Sequence, residues 1–127
     1  LAEGNQIAVG TDSLSSSPSL DVLGELPELY DLAREQGYAH TDLGRRLLHA
    51  ATLGGATALG LGTGRNRVGQ LQAGAIADMV ILDVPVSDVI GTIDDVVRLG
   101  ASRQVATLIE GQLRWRDDRF PATTWTT

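Results

Sequence analysis

Gln6-Ile7-Ala8-Val9-Gly10-Thr11-Asp12 is a short apolar run that ends abruptly in a carboxylate and is followed by Ser13-Leu14-Ser15-Ser16-Ser17-Pro18. This is the pattern of a buried parallel strand handing one acidic side chain to its C-terminal edge, where a polar loop takes over. In alternating strand-helix folds catalytic groups stand at that edge, because the strand fixes the side chain and the loop leaves it accessible. Asp12 is therefore the first candidate site residue. The same pattern also suits a carboxylate that caps the following helix or simply closes a strand.

Downstream, Leu23, Leu26, Tyr30 and Ala33 recur at helical spacing, which predicts an amphipathic helix from about Ser19 to Arg34. Ser19 is the natural N-cap, and Asp21 sits where the helix dipole favours a carboxylate. Pro27 should kink or divide this helix, and Gly37 should stop it. Thr41 or Asp42 then caps a second helix with Leu43, Leu47, Leu48 and Ala51 on one face. Thr52-Leu53-Gly54-Gly55 breaks it, and Ala56 to Leu59 forms a short helical piece ended by Gly60. So many small residues here imply that backbones pack closely against another part of the molecule.

From Gly62 the character changes. Gly62-Thr63-Gly64-Arg65-Asn66-Arg67-Val68-Gly69 reads as a polar turn region and a candidate domain boundary. Residues 77–83 read as a strand, and Ile93 to Leu99 as a helical turn. Val105–Ile109 and Gln112–Arg116 flank Glu110-Gly111 as a hairpin. The tail from Phe120, with Trp125, reads as surface-wrapping or frayed. The order is one strand, then helices, then a small set of strands.

Composition narrows the class. At 127 residues the chain can bury one core, and no segment approaches the roughly 20 apolar residues that span a bilayer. The N-terminus lacks the basic-then-apolar pattern of a signal peptide. There is no cysteine, so disulfides and thiolate metal sites are excluded. All ten cations are arginine and the net charge is −6, which argues against a nucleic-acid footprint. These features fit a cytoplasmic protein with neither nucleic-acid nor membrane partners. Leu1 in place of a methionine suggests a piece of a longer chain.

Three stretches, taken together and in order, resemble the amidohydrolase superfamily, on its branch of aromatic-amine deaminases and related chlorohydrolases. Gly10-Thr11-Asp12-Ser13 with Leu20-Asp21 and Glu25-Leu26 resembles the end of the eighth barrel strand and the helix after it. Ala50-Ala51-Thr52-Leu53-Gly54-Gly55-Ala56-Thr57-Ala58-Leu59-Gly60-Leu61 resembles the helical pair before a composite β domain. Gly69-Gln70-Leu71-Gln72-Ala73-Gly74-Ala75-Ile76-Ala77-Asp78 and the apolar residues after it resemble that domain's strand-turn-strand.

The resemblance implies an α/β chain holding the last βα unit of a (β/α)8 barrel, further helices and part of a small composite β domain. Residues 1–62 would be the barrel end with its helices, and residues 63–127 the β-domain part and tail. It implies a divalent metal, zinc first with iron or manganese as alternatives, whose other ligands lie outside this chain. Asp12 would be both metal ligand and catalytic proton shuttle, in hydrolysis that deaminates an aminated heterocycle by metal-activated water. The serine-rich run looks most like nucleoside-type or aminofutalosine deaminases, ahead of imidazolonepropionase-like ring hydrolases and dechlorinating relatives.

Some of the family pattern is missing. Many relatives carry glycine where Ser13 stands, and the chlorohydrolase group often has Asn-Asn where Ser17-Pro18 stands, so that group's substrate contacts do not transfer. The family's His-x-His pair and mid-barrel histidines have no match. His40 and His49 fall where the family uses no metal ligand, with His40 expected in solvent and His49 against a neighbouring helix. The implied partners are the remainder of the barrel polypeptide and a small heterocyclic substrate, with a homodimer left open. Without that remainder, Ile7, Val9 and the helical leucines 23, 26, 47 and 48 would lack the wall they cover. The competing class is a non-catalytic assembly or protein-interaction module derived from an amidohydrolase, for which Trp115 and Trp125 would suit an interface. A nucleotide-binding loop at Gly60–Gly64 is a poor reading, because those glycines follow a helix rather than a strand.

Overall fold

The computed structural model describes residues 3–121. In chain order the elements are α1 (Val22–Glu35), α2 (Leu43–Ala51), α3 (Leu53–Ala58), β1 (Met79–Leu82), α4 (Val89–Leu99), a 3-10 turn (Gly100–Ser102), β2 (Gln104–Ile109) and β3 (Gln112–Arg116). Trp125 and the rest of the predicted tail beyond residue 121 lie outside the described residues.

Helix α1 begins later than its sequence predicts. The cap is Asp21, whose Oδ1 accepts the Leu23 N–H at 3.1 Å, while Ser19 Oγ accepts the Asp21 N–H at 3.2 Å and so steadies the cap. Pro27 does not divide the helix, which runs unbroken from Val22 to Glu35. It lies one turn in, where the missing N–H removes a single helical bond, and fully buried Leu26 anchors the segment beside it. Gly37, at φ +89°, ends the helix as predicted.

In α2 the N-cap position belongs to Asp42, but its carboxylate makes no capping bond. Instead it accepts the Tyr38 hydroxyl and the Arg46 Nε–H, each at 2.7 Å. The Tyr38 hydroxyl, then Arg46, hold the Asp42 carboxyl below the usual carboxylate range, and the bond pushes the Tyr38 phenol up. The break after α2 falls at Thr52 alone, and Leu53-Gly54-Gly55 open α3 instead of interrupting the chain.

Helices α1, α2 and α4 pack around one core of Leu26, Ala33, Leu43, Leu47 and Val97, with Val9, Leu23, Leu29, Tyr30 and Leu48 half-buried against it. Leu26 and Leu47 therefore do not wait for an outside wall: the expectation that they would be uncovered is wrong. The reason is α4, which is longer than the helical turn predicted at 93–99. It folds back from the second half of the chain onto α1 and α2 and supplies Val97. Residues 6–12, by contrast, form no strand. A parallel strand takes its ladder bonds from neighbouring strands, and no described strand lies parallel beside this segment. It runs past the end of α2 instead, where the Val9 N–H donates to Ala50 O at 3.1 Å.

The sheet is antiparallel, in the order β1-β2-β3, with Val80 opposite Thr107 and Thr107 opposite Trp115. Opposed residues share a face. One face carries Ala106 and Leu108, both buried, and the other leaves Val80, Ile109 and Trp115 about half exposed (50%, 48% and 47%). Glu110 and Gly111, at φ +52° and +76°, make the two-residue turn between β2 and β3. Asp78 Oδ1 accepts the Glu110 N–H and Ala77 O accepts the Gly111 N–H, both at 2.8 Å. The Ala-Asp pair of the Gly74–Asp78 stretch thus clamps the hairpin turn, a structural duty. No helix among the described residues is long and apolar enough to cross a membrane.

Candidate functional site

Asp12 lies between the apolar segment and the serine loop, with its side chain exposed. The segment before it is seated on α3. The backbone oxygen of Ile7 stands where a Cβ on Gly54 would come within 2.6 Å, so any larger residue there would push residues 7–9 off the helix. This is the close backbone packing that the Ala/Gly-rich stretch implied.

The Asp12 backbone is left-handed, at φ +61°. Aspartate tolerates that region better than most residues, at a cost of roughly 1 kcal/mol. Such strain persists only where the surroundings fix it, and here a compact turn follows at once. Ser13 O accepts the N–H groups of Ser16 at 3.0 Å and Ser17 at 2.9 Å. Ser16 Oγ donates to Asp12 Oδ2 at 3.1 Å and lies 3.2 Å from Ser13 O. The other serines are engaged elsewhere, Ser13 with Ser15 and Ser17 with Ser19 O and Glu25. One carboxylate oxygen of Asp12 is thus held, and Oδ1 carries no described hydrogen bond.

Neither histidine is a candidate ligand. His40 is exposed, as predicted, with its ring edge-on to Tyr38 at 5.4 Å. His49 is also exposed, although its Nδ1 lies beside Gly54 of α3, the neighbouring helix. Helix α2 buries Leu43, Gly44, Leu47 and Ala50. Two residues beyond Leu47 is about 200° around the helix, on the solvent side. Among the described residues no three His, Asp or Glu side chains converge as a metal cluster. An exposed carboxylate with a free oxygen can ligate a divalent cation, zinc included, so Asp12 can offer one donor to such an ion. A surface depression of about 590 Å³ is lined by Gly62–Arg65, Arg67, Gln70, Gln72 and Gly74, and a cleft of about 240 Å³ lies between α2 and α4; Asp12 lines neither. The contact that the sequence does not announce is the one from the Ser16 hydroxyl to Asp12.

Comparison with known proteins matches residues 1–113 to the model described as "Amidohydrolase family". A 5-methylthioadenosine/S-adenosylhomocysteine deaminase of Syntrophobacter fumaroxidans is 32% identical, across 94% of this chain and 28% of the relative. A 5'-deoxyadenosine deaminase of Methanosarcina mazei is likewise 32% identical over the same shares of each. Among solved structures, E. coli guanine deaminase superposes with a TM-score of 0.73 at 25% identity, covering 89% of this chain and 28% of that one. The chain thus spans just over a quarter of the length of these relatives.

Proposed function

Because the chain belongs to the amidohydrolase family, whose members generally use a divalent metal, we propose that it is part of a metal-dependent hydrolase of C–N bonds that deaminates an aminated heterocycle. The observation that carries this reading is Asp12: an exposed carboxylate in a fixed left-handed turn, one oxygen tethered and the other free. The relatives' names support the reaction class, since each is a deaminase of an adenosine derivative or of guanine. In this reading residues 6–12 are the last strand of a (β/α)8 barrel, formed as a strand only beside its neighbours. Residues 1–62 belong to the barrel end and residues 63–127 to a composite β domain, although α4 returns to the helical layer. The remaining site residues come from the rest of the polypeptide, and the enzyme works in the cytoplasm.

Zinc is the first choice of metal, with iron or manganese as alternatives. Asp12 would contribute one oxygen to it. When bound, the metal supplies acidity to a water molecule. Asp12 would take a proton from the attacking water as the water's oxygen bonds to the ring carbon bearing the amine. It then returns the proton to the amine nitrogen, so the C–N bond breaks with ammonia as the leaving group. The oxygen atom stays on the ring, and the carboxylate ends in its starting state. The serine turn keeps the carboxylate at the loop surface throughout.

A second reading, a non-catalytic interaction module, is favoured by the exposed Val80, Ile109 and Trp115 on one sheet face. Reading the genomic DNA upstream of Leu1 separates the two. The enzyme reading expects an in-frame His-x-His at the end of an apolar run. A start codon close to Leu1 would reject it.

A further inference from the structure

We propose that Ser16 is a positioning residue for Asp12, holding one carboxylate oxygen so that the other is presented to the metal and the reacting water; this rests on the proposed role of Asp12. The terminal torsion of an aspartate is soft and nearly two-fold, so an untethered exposed carboxylate exchanges its oxygens freely. Ser16 removes that freedom, through the bond from its hydroxyl to Oδ2 at 3.1 Å. No other described side chain donates to this carboxylate. Thr11, its neighbour, donates to the Asp12 carbonyl oxygen at 3.4 Å and leaves the side chain alone.

The Ser16 hydroxyl is itself held in place. Its backbone N–H is bonded to Ser13 O at 3.0 Å, which closes the turn, so Oγ sits one turn beyond Asp12 by construction. The hydroxyl has a single proton and two acceptors in reach, Asp12 Oδ2 and Ser13 O at 3.2 Å. A charged acceptor outcompetes a neutral one, which directs the proton to the carboxylate. The tether spans four residues within one loop, so it aligns the carboxylate before any substrate arrives. Pre-alignment of this kind acts on turnover and leaves ground-state substrate binding alone.

The test uses the full-length enzyme in its metal-loaded form, comparing Ser16→Ala and Ser16→Thr with Asp12→Asn. Loss of a hydrogen bond to a charged group predicts that Ser16→Ala lowers kcat roughly 10- to 100-fold with KM nearly unchanged. Ser16→Thr, which keeps the hydroxyl, should recover most of that loss. Metal retention against a chelator gives a readout independent of turnover. Ser16→Ala should release metal faster than wild type, and should add nothing to the faster release of Asp12→Asn. Wild-type kcat in Ser16→Ala beside an inactive Asp12→Asn would overturn the role of Ser16 alone. A raised KM with unchanged kcat would also overturn it, by assigning the hydroxyl to substrate. Full activity in Asp12→Asn would instead overturn the reading on which the inference rests.

Discussion

Replacing Asp12 by asparagine in the full-length enzyme should lower kcat by roughly 10²- to 10⁴-fold, the range expected when a positioned acid-base group is lost. The substitution isolates chemistry from folding. Asparagine is close in shape to aspartate and tolerates the left-handed backbone that this position requires, at φ +61°. The serine turn can close as before, because its backbone bonds run to Ser13 O and not to the carboxylate. Asparagine's amide oxygen still accepts from Ser16, but the amide cannot take up the proton that must travel from water to amine. Circular dichroism should be unchanged, with metal content measured in parallel so that loss of the ion is distinguished from loss of the proton shuttle. A folded, metal-loaded Asp12→Asn enzyme with near-normal kcat would remove Asp12 from the mechanism.

The second large effect concerns stability. Leu43 is fully buried where α2 meets α1 and α4, and truncation to alanine leaves a cavity that three helices can only partly close. Leu43→Ala should cost about 2–5 kcal/mol in denaturant unfolding. That is a large share of the roughly 5–15 kcal/mol that holds an ordinary domain together. Leu59→Ala provides the control: Leu59 is 77% exposed, and its truncation should change stability by less than about 0.5 kcal/mol. Equal, small effects at both positions would mean that the α1, α2 and α4 bundle is not the core.

The helices and the hairpin were legible in the sequence because their signals are local. The spacing of Leu23, Leu26, Tyr30 and Ala33, the stop at Gly37 and the Glu110-Gly111 turn each depend on a few neighbouring residues. The rest depends on distant residues. Leu26 and Leu47 are covered because α4 returns from the other half of the chain, and no periodicity within residues 22–51 announces that return. Residues 6–12 carry the composition of a buried strand, yet strand formation is a property of a ladder, and none of the described strands pairs with them. His49 borders α3 yet stays exposed, because the register set by Leu43 and Leu47 turns it outward.

The site divides the same way. Asp12 was legible, because an apolar run ending in a carboxylate before a polar loop is a local pattern. Its left-handed backbone and the Ser16 tether were not, since among several adjacent serines only the folded turn selects the one that reaches the carboxylate. Asp78 shows the converse: its motif marks the chain's kinship, while its carboxylate clamps a hairpin turn.

The most direct test of metal-dependent deamination is ammonia release from adenine nucleosides and guanine, measured for the full-length polypeptide with its divalent metal, after chelation, and for residues 1–127 alone. Release is expected from the metal-loaded full-length protein on at least one of these aminated heterocycles, with loss on chelation, return with added metal, and none from residues 1–127. Release by the 127-residue chain alone, or full-length activity indifferent to chelation, would contradict that expectation.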